Sequence, residues 1–159
     1  MLCEQIIGKL EELDDSGRQI EYVDIEWHEA FKKIHRKVTD HGTDVGIRMD
    51  DSVLSRGLFQ GDVIYLDENV AIVVNTPPCE VIEISTTEGH GMMASKVCYE
   101  IGNRHAPLFW GDTYDTFITI YDEPMMAMVS KIHGVVAEKK TVKLNFDRRI
   151  SAAIHNHHH

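Results

Sequence analysis

Cysteine is scarce in this chain, and a long hydrophobic run is missing from it. The 159 residues include three cysteines, Cys3, Cys79 and Cys98, and no two of them form a C-x-x-C pair. An odd number of such cysteines argues against a disulfide framework. No apolar run approaches the length of a membrane span, and the N-terminus lacks the basic start and apolar block of a signal peptide. We therefore expect reduced thiols, a cytoplasmic location and no membrane partner.

Positive charge is also in short supply. The chain has 16 Lys and Arg against 26 Asp and Glu, which gives a formal net charge of -10. This balance repels phosphate backbones, so nucleic acid is excluded as a partner. A Gly-rich phosphate loop is absent, and Cys98, which could act as a nucleophile with His105 as its base, lies on the apolar stripe of a predicted helix. We therefore expect that this protein is not an enzyme.

The first half of the chain reads as an all-β domain. Short segments of alternating or continuous apolar residues are separated by turn residues, as is typical of a unit built from many strands. The Thr76-Pro77-Pro78 run then breaks the chain, so we place the first domain at residues 1–75. The predicted strands cover residues 5–10, 18–27, 37–39, 45–49, 62–66 and 70–74.

The second half alternates strands with helices. The predicted order is strand 80–85, helix 91–101, strands 107–111 and 116–121, a helix from Asp122 or Glu123 to Gly134, and a last strand at 135–146. This β-α-β-β-α-β order is the ferredoxin-like motif. The sequence thus predicts an α+β protein, with an N-terminal all-β domain, a ferredoxin-like domain at 79–147 and a flexible His-rich tail at 148–159.

The run Gly102-Asn103-Arg104-His105-Ala106-Pro107 is the best candidate for a working site. We expect Gly102 to end the preceding helix in the left-handed conformation, since glycine adopts it without a Cβ penalty. His105 then lies in a loop just past a helix end. Its imidazole is free to ligate a metal or to move protons there.

A metal at His105 needs ligands from elsewhere. No histidine lies between it and His133, and no cysteine follows it. Either a second subunit supplies another His105 across a twofold interface, or the tail closes the coordination sphere. The terminal run of histidines is also what a purification tag leaves, and the sequence does not separate these two origins. The candidate tail ligands are His155, His157, His158 and His159.

Three runs in the chain resemble the UreE family of urease accessory proteins. They are Val45-Gly46-Ile47-Arg48, Gly61-Asp62-Val63-Ile64-Tyr65 and the segment from Ile101 to Pro107, which is similar to the family's G-N-R-H-x-P signature. The resemblance implies a peptide-binding-like N-terminal domain, a ferredoxin-like domain that forms the homodimer, and Ni(II) bound by His105 of both subunits. It also implies urease apoprotein and other urease accessory proteins, including the accessory GTPase, as partners.

The leading hypothesis is therefore a nickel metallochaperone for urease assembly. One alternative is a protein-interaction scaffold of the maturation complex, and another is a zinc or copper carrier, because imidazole ligands do not select nickel and Zn(II) or Cu(II) would bind in vitro. Residues 115–122 contain no histidine, whereas some family members carry extra histidines there. We therefore expect a capacity near one nickel per dimer.

Overall fold

A computed structural model describes residues 1–14, 17–113 and 115–151 of the chain. The chain folds into two compact units that meet in the sequence at Pro77 and Pro78. The N-terminal unit is built almost entirely of strands, and the C-terminal unit contains strands and helices.

The N-terminal unit contains two β-sheets. The elements are β1 (Leu2–Cys3), β2 (Gly8–Lys9), β3 (Gln19–Asp24), β4 (Ile34–Val38), β5 (Asp44–Arg48), α1 (Val53–Arg56), β6 (Asp62–Leu66) and β7 (Val70–Asn75). One sheet has three strands in the order β1-β5-β4, and the other has four strands in the order β2-β6-β7-β3. The four-residue helix α1 connects β5 to β6.

Alternation in the sequence explains most of these strands. In β3 and just beyond it, Val23 and Ile25 are fully buried while Asp24 between them is exposed, as expected for a sheet with one wet face. The prediction of one strand over residues 5–10 was wrong. The chain instead forms the short strands β1 and β2 and then a 3₁₀ turn at Leu10–Glu12, whose first amide, that of Leu10, bonds the Gly61 carbonyl at 2.8 Å.

The C-terminal unit confirms the predicted β-α-β-β-α-β order. The elements are β8 (Cys79–Thr86), α2 (Met93–Asn103), β9 (Leu108–Trp110), β10 (Thr116–Ile120), α3 (Glu123–Ser130) and β11 (Val135–Val142). The four strands form one antiparallel sheet in the order β11-β8-β10-β9, so the first and last strands of the unit are neighbours. The two helices pack on this sheet.

The apolar stripes of the two helices form the core of this unit. Val97 and Ile101 of α2 and Val129 of α3 are fully buried against sheet residues. The start of α3 is capped as the sequence predicts: the Asp122 carboxylate accepts a hydrogen bond from the Met125 amide at 2.6 Å. These contacts hold both helices on the sheet, and they bury the last turn of α2, which leads to His105, through Ile101.

Candidate metal site

The C-terminal end of α2 closes in a Schellman motif. The His105 amide bonds the Gly102 carbonyl at 3.0 Å, and the Ala106 amide bonds the Ile101 carbonyl at 3.3 Å. These two bonds are the pair that defines the motif, in which the residue after the C-cap turns left-handed. Here Arg104 is the C-cap, and His105 is the residue that follows it.

His105 itself adopts the left-handed conformation, with φ 58°, and no other non-glycine residue in the described part of the chain has a positive φ. The expectation that Gly102 would take this conformation was wrong, because α2 runs on through Gly102 to Asn103. The reason is the packing of Ala106, which contacts the core that contains Ile101. An apolar contact of this kind accompanies Schellman motifs and sets where the helix ends.

We expect the His105→Gly variant to be more stable than the wild type. A left-handed L-residue costs about 1–2 kcal/mol, and the greater freedom of glycine in the unfolded chain offsets about 0.5–1 kcal/mol of the gain. The net stabilisation should be about 0.5–1 kcal/mol. His105→Ala is the matched control, because its Cβ keeps the strain. Thermal unfolding followed by Trp110 fluorescence, in a Trp27→Phe background, measures both; equal melting temperatures for the two variants would contradict a strained His105.

The backbone after His105 is tied to the sheet. The Thr119 hydroxyl, on β10, donates a hydrogen bond of 2.7 Å to the Pro107 carbonyl, and Thr119 is fully buried. Leu108 begins β9, and its carbonyl accepts a bond of 2.8 Å from the Ile150 amide. These hydrogen bonds and those of the helix end hold the backbone on both sides of His105. The imidazole of His105 is exposed to solvent. Such a side chain is available to a ligand without a loop rearrangement.

The described part of the subunit supplies His105 with no ready set of co-ligands. No group of three or more His, Cys, Asp or Glu side chains arranged to hold a metal occurs in residues 1–14, 17–113 and 115–151. Cys98, seven residues before His105, is half-buried, and burial raises the pKa of its thiol, which disfavours the thiolate that a metal or a nucleophilic reaction needs. The tail candidates His155, His157, His158 and His159 lie outside the described residues.

The outer face of α2 carries large apolar side chains in solvent. Met92, just before the helix, is 77% exposed and Tyr99 is 69% exposed. They are seven residues apart, so they lie on the same side of the helix. Gly102 extends this face, with open space where a side chain would be. The side of α2 that carries Met92 and Tyr99 therefore leads directly to the loop that carries His105.

Comparison with protein families covers both units. Residues 3–76 match the N-terminal domain of the UreE urease accessory protein, and residues 79–159 match its C-terminal domain. The chain belongs to the UreE family. This confirms the resemblance drawn from the three sequence runs. It assigns the chain a role in urease maturation as an accessory protein, distinct from urease itself.

Individual UreE proteins align along nearly the whole chain. The urease accessory protein UreE of Helicobacter pylori strain G27 is 36% identical over 154 residues, which cover 97% of this chain and 88% of that protein. UreE of Helicobacter acinonychis is 36% identical over 157 residues, covering 98% and 90%. UreE of Acetivibrio thermocellus is 36% identical over 161 residues, covering both chains completely.

None of the helices in the described residues combines the length and the apolar character that crossing a membrane requires.

Proposed function

We propose that this UreE carries Ni(II) to urease during assembly of the urease active site, with His105 as the central ligand. The observation that carries the proposal is the placement of His105: its imidazole is exposed, and its backbone is strained and fixed at a helix end. Strained residues of this kind cluster at functional sites, where surrounding structure holds them in place. A neutral imidazole in such a position is a ligand for nickel and related ions.

The second ligand is His105 of another subunit. Met92 and Tyr99 are exposed apolar side chains on one side of α2, and a twofold contact between two copies would bury them. An isologous interface places the same residue of both chains near the axis, and the His105 loop adjoins this face. A homodimer through the C-terminal unit therefore completes a site that one subunit leaves short of ligands.

The tail histidines serve in capture and release. His155, His157, His158 and His159 can occupy the remaining coordination positions and exchange the ion with a recipient. Because imidazole must lose its proton to bind a metal, nickel affinity falls as the pH drops. Zn(II) and Cu(II) compete at the same site in vitro, since affinity for nitrogen ligands rises from Ni(II) to Cu(II).

The partners follow from this role. Urease apoprotein and the other urease accessory proteins, including the accessory GTPase, receive or relay the ion in the cytoplasm. The net charge of -10 disfavours nucleic acid and anionic membranes as partners. The protein acts as a carrier and catalyses no reaction of its own.

Urease activation with limiting nickel tests this function. Purified wild-type chain, loaded with one nickel per two chains, is mixed with urease apoprotein and the other accessory proteins, and urease activity is followed in time. We expect His105→Ala to slow activation by at least about tenfold. His41→Ala is the control, since His41 lies in an exposed turn against Asp40. Activation by His105→Ala at the wild-type rate would contradict nickel carriage and favour the scaffold role.

A further inference from the structure

A second pair of imidazoles lies at the opposite end of α2 from His105. His90 is in the loop between β8 and α2, and His133 is in the loop between α3 and β11. Their Nε2 atoms are 3.2 Å apart, although the residues are separated by 43 positions in the chain. We propose that His90 and His133 form a two-imidazole site for a divalent first-row transition cation, with both ligands from one subunit.

The separation of the two nitrogens fits a shared ion. Nitrogens that each lie about 2.1 Å from one metal are about 3.0 Å apart at a right angle and about 3.4 Å apart at the tetrahedral angle. The observed 3.2 Å lies between these values. The ring centroids are 4.8 Å apart, and the rings are inclined by 80°. This centroid distance is shorter than two rings pointing straight at each other along the line between the nitrogens would give, so the rings meet at an angle.

The hydrogen bonds at Nδ1 of His90 indicate that its lone pair is on Nε2, the atom that faces His133. Its Nδ1 lies 3.1 Å from the Glu88 carbonyl, which can only accept, so we assign the proton to Nδ1. The Thr87 hydroxyl donates to the Gly134 carbonyl at 3.3 Å and therefore accepts from the same Nδ1 at 2.9 Å. A histidine that ligates a metal commonly donates its other ring N–H to a backbone carbonyl in this way.

The fold holds the two loops together before any ion arrives. β8 and β11 are paired neighbours, with Thr86 opposite Val135, and the Thr87 amide donates to the Gly134 carbonyl at 2.8 Å. A Cβ on Gly134 would come within 2.4 Å of the His90 ring, so glycine is needed there for the ring to rest against the backbone. The site is thus preformed, and its ligands lose little freedom on binding.

The site binds loosely and is separate from His105. Two protein ligands leave the other positions to water, which suits rapid exchange, and copper should bind most tightly among Ni(II), Cu(II) and Zn(II). The helix between the two sites, Met93–Asn103, spans about 16 Å at 1.5 Å per residue. One ion cannot contact His90 and His105 of the same subunit. The His90 and His133 site also does not depend on the proposed function.

Titration of the full chain with Zn(II) tests this inference. The background variant replaces His105, His155, His157, His158 and His159 by alanine, which removes the proposed carrier site and keeps the pair. We expect it to bind one Zn(II) per subunit, with ¹⁵N shifts of the His90 and His133 ring nitrogens on binding. His90→Ala should lower the affinity at least about tenfold, and His41→Ala should leave it unchanged.

His133→Gln separates a metal site from a structural hydrogen bond. The glutamine amide can still donate to His90 Nε2, which would preserve a purely structural contact, but an amide is a poor ligand for these ions. We expect this variant to keep the circular dichroism spectrum and melting temperature of the background and to lose Zn(II) binding as His90→Ala does. Unmoved ring ¹⁵N signals at saturating Zn(II), or the same affinity in the His90→Ala His133→Ala double variant, would overturn the proposal.

Discussion

Replacing His105 by alanine is expected to lower the Ni(II) affinity of the protein by at least about 100-fold. Loss of a residue that merely orients a ligand costs about 10–100-fold in metal affinity, and this substitution removes the proposed ligand from both subunits of the proposed dimer at once. Titration calorimetry at fixed pH measures the change. His105→Gly should match His105→Ala in affinity although it differs in stability, because both lack the imidazole.

Weak binding should survive in these variants. The His90 and His133 pair remains in place, so an excess of nickel should still reveal low-affinity sites. His41→Ala, which removes an exposed imidazole beside Asp40, is the control that should retain wild-type affinity. High-affinity binding that persists unchanged in His105→Ala would place the nickel site elsewhere in the chain.

Replacing Asp62 by asparagine is expected to destabilise the N-terminal unit by about 3 kcal/mol. The Asp62 side chain is fully buried and accepts hydrogen bonds from both Arg56 nitrogens at 2.7 and 2.8 Å, from Lys9 Nζ at 2.8 Å and from the Phe59 amide at 3.0 Å. Asparagine keeps the size but loses the charge, and its NH₂ group would face other donors. Because Arg56 and Lys9 retain partial contact with solvent, the loss should fall at the low end for a broken buried pair.

This contribution should depend on pH in a defined direction. Burial acts to raise the pKa of the Asp62 carboxyl, but the hydrogen bonds from Arg56, Lys9 and the Phe59 amide outweigh it and hold this pKa below its ordinary value. A lowered pKa means that the stabilisation is fully present above the ordinary aspartate value of about 3.9 and is lost as the pH falls through the folded-state pKa. The difference between wild type and Asp62→Asn should therefore shrink below about pH 4.

Urea unfolding followed by Trp27 fluorescence measures this effect, in a Trp110→Phe background that leaves Trp27 as the single tryptophan. Asp44→Asn is the matched control, since the Asp44 side chain is 70% exposed and 3.9 Å from Arg36. We expect the control to change stability by less than about 0.5 kcal/mol. Equal losses of unfolding free energy for the two substitutions at pH 7 would mean that the buried cluster around Asp62 stabilises the protein no more than an exposed aspartate does.

Local sequence patterns predicted most of the fold. The change from strand-like alternation to helical spacing after Pro78 indicated the ferredoxin-like unit, and Asp122 followed by Pro124 indicated the start of α3. The strands predicted at 62–66 and 70–74 correspond to β6 and β7. By contrast, helix α1 has only four residues, too few for any periodicity to register.

The candidate sites depended more on tertiary contacts. The helix propensity of glycine predicted that α2 would end at Gly102. In the structure the left-handed residue is His105, because Ala106 packs on the core. In the sequence, the apolar pair Ile101 and Ala106, five residues apart, could have indicated that the left-handed residue is His105. The meeting of His90 and His133 follows from the adjacency of β8 and β11, which spacing along the chain does not reveal.

The left-handed His105 also links stability to function. Glycine would relieve the backbone at this position, yet only a side chain with a lone pair can bind an ion there. We therefore interpret the strain as the cost of holding an imidazole at a fixed point beside the apolar face of α2.

Native mass spectrometry of the full chain with one nickel per two chains tests the central proposal most directly. We predict that the wild type carries a single nickel on the dimer, that monomers carry none, and that dimers of His105→Ala lose it under the same conditions. Nickel on wild-type monomers, or equal nickel loading of His105→Ala dimers, would contradict a site shared by the two His105 side chains.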